Sequence, residues 1–181
     1  MSTYPLSLEA NWQDAENVTL AASLADWLKE PHSLTKRLKS QCQHFAVEVI
    51  SEQVLDAKQY RSELFDPQSA HVLVREVILF CDNQPMVYAQ SWIPEQRGTH
   101  PSVDLSHLGD RPLGEVIFQD PQLCREQLEV ADFTANDDLT RLCKSFNLPT
   151  QPMWGRRSRF NLTEQHIMVC EVFLPGAYPY L

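Results

Sequence analysis

Residues 71–93, with the sequence HVLVREVILFCDNQPMVYAQSWI, decide the fold of this 181-residue chain. Two runs rich in β-branched residues, His71 to Cys81 and Met86 to Ile93, flank a polar stretch at residues 82–85. Such runs on either side of a short polar stretch predict two strands joined by a tight turn. Because hairpins build antiparallel sheets, we expect an antiparallel sheet.

Four more strands are expected outside this hairpin. Alternating apolar residues, typical of strands, mark the segments His44 to Ile50, Cys124 to Phe133, Gly155 to Leu162 and His166 to Leu174. Only residues 163–165 separate the last two segments, and this spacing is short enough for a second hairpin. The sequence therefore predicts about six strands.

Helices are predicted mainly near the N-terminus. Apolar residues at three-and-four spacing mark a helix over Asn17 to Glu30, which Pro31 ends, and Ser33 is placed to cap a second helix toward Gln41. Shorter helices are expected at Pro112 to Phe118 and at Asn136 to Asn147, and residues 101–110 look irregular. Helices at the front followed by runs of strands favour an α+β fold over a parallel βαβ repeat.

Length and composition favour one intracellular domain. A chain of 181 residues fits a single domain over residues 1–181. Fifteen basic against twenty-four acidic residues give a net charge of −9, which disfavours nucleic acid or an anionic membrane as the main partner. No apolar stretch approaches a membrane span and residues 1–11 do not resemble a signal peptide, so we expect a cytoplasmic protein.

Sequence motifs for metals and common cofactors are absent. The five cysteines include no C-x-x-C pair, and the six histidines include no H-x-x-x-H or H-E-x-x-H pattern, so no metal site is expected. The five glycines form neither of the usual nucleotide-phosphate loops, and no G-x-S-x-G nucleophile motif occurs. The sequence therefore offers no motif for a metal ion or for a nucleotide phosphate.

One strand of the central hairpin carries a charge where a core strand should have none. Alternation places Arg75 on one face together with Leu73, Val77 and Leu79. An uncompensated buried charge is costly even after relaxation of the surrounding protein. Arg75 must therefore be paired or must meet a ligand.

The last predicted strand repeats this feature with the opposite sign. Glu171 is the one charge on the face that also holds Ile167, Val169 and Phe173. Two interpretations remain open at this stage. Arg75 and Glu171 form a structural ion pair inside the sheet, or both meet a ligand.

The segment Trp154 to Arg159, WGRRSR, holds three arginines within four residues of an acidic protein. Alternation puts Arg156 on one face of the strand and Arg157 with Arg159 on the other, so at least one arginine should face inward. The alternative is a solvated edge strand that its charges protect from aggregation.

Together these features resemble the chorismate pyruvate-lyase family, which makes 4-hydroxybenzoate at the start of bacterial ubiquinone synthesis. The blocks that carry the resemblance follow the family's order from about residue 18 to the C-terminus: Trp27-Leu28, Ser33 to Arg37, Arg75 to Leu79, Arg111 to Gly114, Trp154 to Arg159 and Glu171 to Pro175. No single block suffices, but their order and spacing make the resemblance specific.

The resemblance implies a roughly six-stranded antiparallel sheet with the helices gathered to one side, and an internal product site covered by flaps. It implies that Arg75, the Leu113 backbone and Glu171 contact the bound aromatic acid. Leu34 belongs to the pocket wall, where a methionine is familiar in the family, and residues 136–153 are longer than in compact members.

The implied reaction is the elimination of pyruvate from chorismate by a cofactor-free carbon–oxygen lyase. Arg75 is expected to hold the ring carboxylate, helped by backbone N–H groups at Leu113 and Gly114, where the glycine allows close approach. Glu171 is expected to accept a hydrogen bond from the ring hydroxyl and, as a hypothesis, to assist removal of the ring proton. A concerted elimination that needs no protein base is equally open.

The second carboxylate of chorismate, on its enolpyruvyl group, is expected to meet Arg156 or Arg157. Chorismate and 4-hydroxybenzoate are then the partners, without nucleic acid, and we expect a monomer. The competing interpretation is a non-catalytic effector-binding domain of the same fold, as in transcription regulators. The roughly 40 residues before the first predicted strand are too few and too poor in basic residues for a winged helix.

Overall fold

The computed structural model, which describes residues 4–57, 70–95, 105, 107–162 and 165–181, has one antiparallel sheet of seven strands in this part of the chain. The strands are β1 (Gln13–Asp14), β2 (Phe45–Asp56), β3 (His71–Cys81), β4 (Gln84–Pro94), β5 (Cys124–Asp132), β6 (Trp154–Leu162) and β7 (Gln165–Phe173). Their order across the sheet is β1-β5-β6-β7-β4-β3-β2. The α+β fold with an antiparallel sheet is confirmed, and β1 is the strand beyond the six expected. Two residues are too few for an alternating pattern to show in the sequence.

Four α-helices lie in the described residues: α1 (Ala22–Leu28), α2 (Leu34–Gln41), α3 (Leu113–Ile117) and α4 (Asp137–Ser145). The apolar residues of α1, α2 and α3 pack on the front face of the sheet, which we define by Val77 and Val169. Those of α4 pack on the back face, defined by Ile78 and Val172. The expectation that the helices gather on one side of the sheet is therefore correct for α1 to α3, whereas α4 covers the opposite face. None of the described helices is long and apolar enough to span a membrane.

The β3–β4 hairpin forms where the sequence predicts it, with a shorter turn. Asp82 and Asn83 have positive φ angles of 50° and 64°, so both central residues are left-handed. Such a two-residue turn matches the twist of the flanking strands, and Asp and Asn tolerate this backbone conformation. Strand β4 therefore begins at Gln84, and the predicted turn over residues 82–85 was two residues too long.

Helix α1 is shorter than the predicted span of residues 17–30. Val18 has extended dihedrals, with φ −107° and ψ 126°, and it packs with Leu20 against the core from this extended segment. The predicted helix was therefore too long, because its apolar pattern included residues that pack against the core from an extended segment. The start of α2 is as predicted, because the Ser33 hydroxyl oxygen accepts a hydrogen bond from the Lys36 N–H at 3.2 Å.

Two expectations fall partly beyond the described residues. Residues 101–104 and 106 belong to the segment predicted to be irregular, and residues 163 and 164 belong to the predicted second turn; all of these lie outside the described residues.

Candidate active site

A cavity lies on the front face, between the sheet and helices α2 and α3. The space between the atoms that line it is about 560 Å³, and part of this space is open to solvent. Its lining is mainly apolar. The charged residues among those lining it are Arg75, Arg125, Arg156 and Glu171.

Arg75 faces this cavity from β3, as alternation predicts, and is only 2% exposed. Its Nη1 lies 3.6 Å from Glu52 Oε2, and its Nη2 donates to the Arg111 carbonyl oxygen at 3.3 Å. Burial lowers the pKa of Arg75, and the charges of Glu52 and Asp110 oppose this shift. Within the described residues Nη1 is a buried nitrogen without a hydrogen-bond partner. Arg75 therefore keeps a donor group available for a ligand.

Glu171 also faces the cavity, but its partner is Arg156 rather than Arg75. Arg156 and Glu171 lie directly opposite each other in β6 and β7, and Arg156 Nε donates to Glu171 Oε2 at 2.6 Å. Of the two interpretations left open, the ion pair between Arg75 and Glu171 does not fit the structure: the carboxylate nearest to Arg75 is that of Glu52, Glu171 is paired with Arg156, and β4 lies between β3 and β7. Two strand spacings amount to roughly 10 Å between their backbones.

Arg157 lies on the back face and does not line the cavity. Its Nη2 contacts Glu129 Oε2 at 2.6 Å, and its guanidinium carbon is 4.7 Å from the centre of the Trp12 ring. The expectation that Arg157 meets a substrate carboxylate therefore does not fit this structure. The edge-strand alternative is also wrong, because β6 is hydrogen-bonded to β5 on one side and to β7 on the other.

The wall formed by α2 and α3 contains Leu34, Leu113 and Gly114, which the resemblance assigns to the site. A Cβ atom at Gly114 would lie 3.0 Å from Thr35 Oγ1 and 3.2 Å from Ser33 Oγ. The glycine therefore allows close packing between α3 and the start of α2, because a Cβ here would force these two hydroxyl groups to shift by a few tenths of an ångström. Helix α3 begins at Leu113, so the first N–H groups of the helix have no acceptor within it.

Arg125 is a cavity residue that the sequence pattern missed. In the β5–β6 register Arg125 is opposite Phe160, whereas Gln127 is opposite Arg159, so Glu126 is the extra residue of a β-bulge. Plain alternation groups Arg125 with Gln127 on the back face. The bulge changes the phase of the strand and directs Arg125 into the cavity, and no residue pattern in a single sequence marks this bulge.

The guanidinium group of Arg125 is only partly satisfied by the protein. Its Nη1 donates to the Glu30 carbonyl oxygen at 2.9 Å, and its central carbon lies 5.0 Å from the centre of the Phe160 ring. Its Nε and Nη2 are buried and have no hydrogen-bond partner among the described residues. Burial and the charge of Arg156 lower the pKa of Arg125 to about 10, and the charge of Glu171 opposes this shift.

This arrangement fits an organic anion. Among the described residues, three guanidinium groups against one carboxylate make the charged lining of the cavity positive, and Arg75 and Arg125 both have buried donors without hydrogen bonds. In the described part of the chain, no three His, Cys, Asp or Glu side chains come together as metal ligands. The cavity can therefore bind carboxylate groups through charged hydrogen bonds.

Solved structures with this fold include ligand-binding domains of bacterial transcription regulators. The effector domain of PhnF from Mycobacterium smegmatis matches with a TM-score of 0.56 at 16% identity, over 79% of this chain and 88% of that chain. The C-terminal domain of the histidine utilization repressor from Pseudomonas syringae pv. tomato matches with a TM-score of 0.55 at 15% identity, over 75% and 94% of the two chains. These identities show a shared fold and nothing more.

Sequence relatives define the family. The family model described as chorismate lyase matches residues 6–180. A protein of Pseudoalteromonas translucida named probable chorismate pyruvate-lyase is 47% identical over 181 residues, covering 99% of this chain and 100% of the relative. One of the same name from Psychromonas ingrahamii is 38% identical, covering 98% of this chain and 96% of the relative. The chain belongs to the chorismate lyase family, as the sequence blocks indicated.

Proposed function

We propose that this protein is a chorismate pyruvate-lyase, which converts chorismate into 4-hydroxybenzoate and pyruvate. The observation that carries the proposal is the front-face cavity, in which Arg75 Nη1 is buried without a hydrogen bond to the described residues and Glu171 lines the same space. Chorismate has a carboxylate on its ring, a ring hydroxyl opposite it, and a second carboxylate on the enolpyruvyl ether. The family relationship and the printed names of the relatives support this assignment.

The reaction is an elimination without net oxidation or reduction. The bond between the ring and the ether oxygen breaks, and the neighbouring carbon, which bears the hydroxyl, loses its hydrogen as a proton. A new double bond makes the ring aromatic, and the departing enolate takes up a proton on its methylene carbon to become pyruvate. No electron acceptor is needed, so a cofactor-free lyase suffices.

Arg75 binds the ring carboxylate in this proposal. A buried guanidinium with an unused N–H group forms a strong, charge-assisted hydrogen bond to a carboxylate. The N–H groups of Leu113 and Gly114 at the start of α3 add donors at the same end of the cavity, and Leu34 closes its wall.

Glu171 meets the opposite end of the ring. Arg156 occupies its Oε2, and among the described residues no hydrogen bond involves Oε1. Oε1 accepts from the ring hydroxyl, which places the carboxylate beside the hydrogen that leaves from the same ring carbon. The ion pair with Arg156 fixes the orientation of this carboxylate before substrate binds, and such preorganisation favours both hydrogen bonding and proton transfer.

The experiment that tests the activity is incubation of the purified protein with chorismate, with 4-hydroxybenzoate followed by absorbance and pyruvate by a coupled assay. We expect equal amounts of the two products, and the same rate after exhaustive treatment with a chelator. Absence of both products above the uncatalysed rate would contradict the proposed function. Activity that a chelator removes and a divalent ion restores would contradict the cofactor-free reaction.

The cellular setting follows from the same proposal. We place the protein in the cytoplasm as a monomeric single domain over residues 1–181 that supplies 4-hydroxybenzoate for ubiquinone synthesis. The monomer is tested by light scattering after size exclusion, where a mass near 20.8 kDa is expected. The competing effector-domain function is less favoured, because its structural relatives share only the fold whereas the enzyme relatives match nearly the whole chain. Such a domain would bind chorismate or 4-hydroxybenzoate without turnover.

A further inference from the structure

Arg125 on β5 and Arg156 on β6 both line the cavity, but they differ in how many of their nitrogen atoms are hydrogen-bonded to the protein. Arg156 is 1% exposed, donates through Nε to Glu171, and donates through Nη1 to the Glu30 carbonyl oxygen at 3.0 Å. Two of its three nitrogen atoms are therefore committed to acceptors of the protein. Arg156 thus positions Glu171 and is poorly suited to bind the second carboxylate of chorismate.

Most of the donor nitrogen atoms of Arg125, in contrast, are not hydrogen-bonded to the described residues. Only Nη1 of Arg125 is hydrogen-bonded to the protein in the described part of the chain, and Nε and Nη2 are both buried without an acceptor. Buried polar groups in folded proteins are nearly always satisfied, so two unsatisfied donors on one side chain call for an explanation. Nε and Nη2 share one edge of the guanidinium plane, and two parallel N–H groups are the arrangement that a carboxylate accepts in a bidentate contact.

The order of the strands places Arg125 at the correct end of the cavity. Arg75 lies on β3 and Arg125 on β5, and β7, which carries Glu171, is two strands away from each. A ligand that meets all three residues therefore has one anionic group at the Arg75 end, a hydroxyl near Glu171, and another anionic group beyond it. Chorismate has its groups in this order, because the enolpyruvyl ether is attached next to the ring hydroxyl.

We propose, on the basis of the function proposed above, that Arg125 binds the enolpyruvyl carboxylate of chorismate through Nε and Nη2. Because 4-hydroxybenzoate lacks this group, Arg125 distinguishes the dicarboxylate substrate from the monocarboxylate product. It thereby favours binding of substrate without strengthening retention of product. The positive charge of Arg156 beside Arg125 increases the attraction for an anion at this position.

The test compares two ligands in three variants. Arg125→Met removes the donors but keeps much of the apolar stem, Arg125→Lys keeps the charge without the planar fork, and Arg157→Met is the matched control on the back face. For Arg125→Met we expect kcat/KM for chorismate to fall on the order of 10²-fold, with 4-hydroxybenzoate affinity by calorimetry changed less than about 3-fold. Arg125→Lys should show an intermediate loss with the same selectivity, and Arg157→Met should change neither quantity.

The ligand comparison separates recognition from a structural role. A parallel loss of 4-hydroxybenzoate affinity and of kcat/KM in Arg125→Met would mean that Arg125 supports the cavity as a whole, and would overturn the proposal. Unchanged kcat/KM would also overturn it. If Arg125→Met does not fold, Arg125→Lys is judged by the same criteria, because it keeps a cation near Phe160.

Failure of the proposed function gives a different result. If the wild-type protein does not convert chorismate, calorimetric binding of intact chorismate to the wild type and to Arg125→Met replaces the kinetic measurement. Weaker binding of chorismate alone in the variant would still support a carboxylate site at Arg125. Equal binding to both proteins, or no binding to either, would overturn it.

Discussion

The two faces of strand β3 carry neighbouring buried charges with different surroundings. Arg75, on the front face, is 2% exposed and has a buried nitrogen without a partner in the described residues. Glu76, on the back face, is fully buried, and its Oε1 accepts from the Tyr88 hydroxyl at 2.6 Å and from the Leu6 N–H at 2.8 Å. Gln90 Nε2 adds a longer contact to the same oxygen. Arg75 on the front face therefore has a donor without a hydrogen bond in the described residues, whereas Glu76 on the back face accepts hydrogen bonds from other parts of the chain.

The back-face network holds the N-terminal segment on the sheet. Besides its bond to Glu76, Leu6 accepts a hydrogen bond through its carbonyl oxygen from Gln90 Nε2 at 2.9 Å, and its side chain is buried. Burial, followed by the charge of Glu76, raises the pKa of Tyr88 well above its usual value, so the phenol stays protonated as a donor. Glu76 Oε2 lacks a partner among the described residues, but Glu76 is not part of the front-face cavity lining.

This difference teaches how a buried charge is assigned to structure or to function. A buried charged group that is hydrogen-bonded to distant parts of its own chain stabilises the fold, as Glu76 does. A charge that keeps donors unsatisfied at the wall of a cavity is suited to a ligand, as Arg75 and Arg125 are. Mutations on the two faces should therefore separate catalysis from stability.

Replacement of Arg75 should have the largest effect on activity. Removing one partner of a buried charged contact typically costs about 2–5 kcal/mol, so Arg75→Ala should lower kcat/KM for chorismate by at least about 10²-fold. Stability should change little, because its partner Glu52 is already 36% exposed. Arg75→Lys should recover part of the activity. Steady-state kinetics and denaturant unfolding test this prediction.

The outcome that contradicts this site assignment is specific. Arg75→Ala protein that unfolds readily but whose folded fraction keeps normal activity would make Arg75 a structural residue.

Replacement of Glu171, also on the front face, tests whether this residue accepts the ring proton or only a hydrogen bond from the ring hydroxyl. If Glu171 accepts the ring proton, Glu171→Gln should slow the single-turnover rate by on the order of 10²-fold or more, and 4-hydroxybenzoate affinity should fall far less. If it only accepts a hydrogen bond from the hydroxyl, the amide oxygen should preserve much of both quantities. Single-turnover measurement is needed because slow product release can hide the chemical step. No change in either quantity would remove Glu171 from both roles.

Replacement of Glu76 should affect stability rather than chemistry. Glu76→Ala leaves the Tyr88 hydroxyl and the Leu6 N–H without their buried acceptor, and each unsatisfied group typically costs about 1–3 kcal/mol. We expect the free energy of unfolding to fall by about 3 kcal/mol, with kcat/KM of the folded protein within about 3-fold of wild type. Tyr88→Phe is the milder control, since it removes one donor and keeps the ring. Loss of activity without loss of stability in Glu76→Ala would contradict this assignment.

Replacement of Arg157 should have the smallest effect. Its side chain is 19% exposed and that of Glu129 is 15% exposed, and neither lines the front-face cavity. Arg157→Met should leave kcat/KM within about 2-fold, and it should lower the free energy of unfolding by about 1–2 kcal/mol because the mostly buried Glu129 loses its partner. A large loss of activity would contradict this prediction, because it would show that Arg157 on the back face affects the front-face site.

Local sequence patterns predict which residues share a face, but not which strands are neighbours. Alternation grouped Arg75 and Glu171 with the apolar residues of their strands, and this face lines the cavity; it put Arg156 and Arg157 on opposite faces without deciding which one faces inward. It left open whether Arg75 pairs with Glu171, because the position of β4 between β3 and β7 depends on contacts distant in sequence. It missed Arg125 because a one-residue bulge reverses the two faces of a strand.

Calorimetric titration of 4-hydroxybenzoate into Arg75→Ala and Glu76→Ala tests most directly whether the two faces divide function from structure. The two substitutions are adjacent in sequence and both truncate a buried charged side chain. We predict that Arg75→Ala weakens binding by about 10²-fold or more and that folded Glu76→Ala binds within about 3-fold of the wild type. Equal losses in the two variants, or a larger loss in Glu76→Ala, would contradict the assignment of the site to the front face.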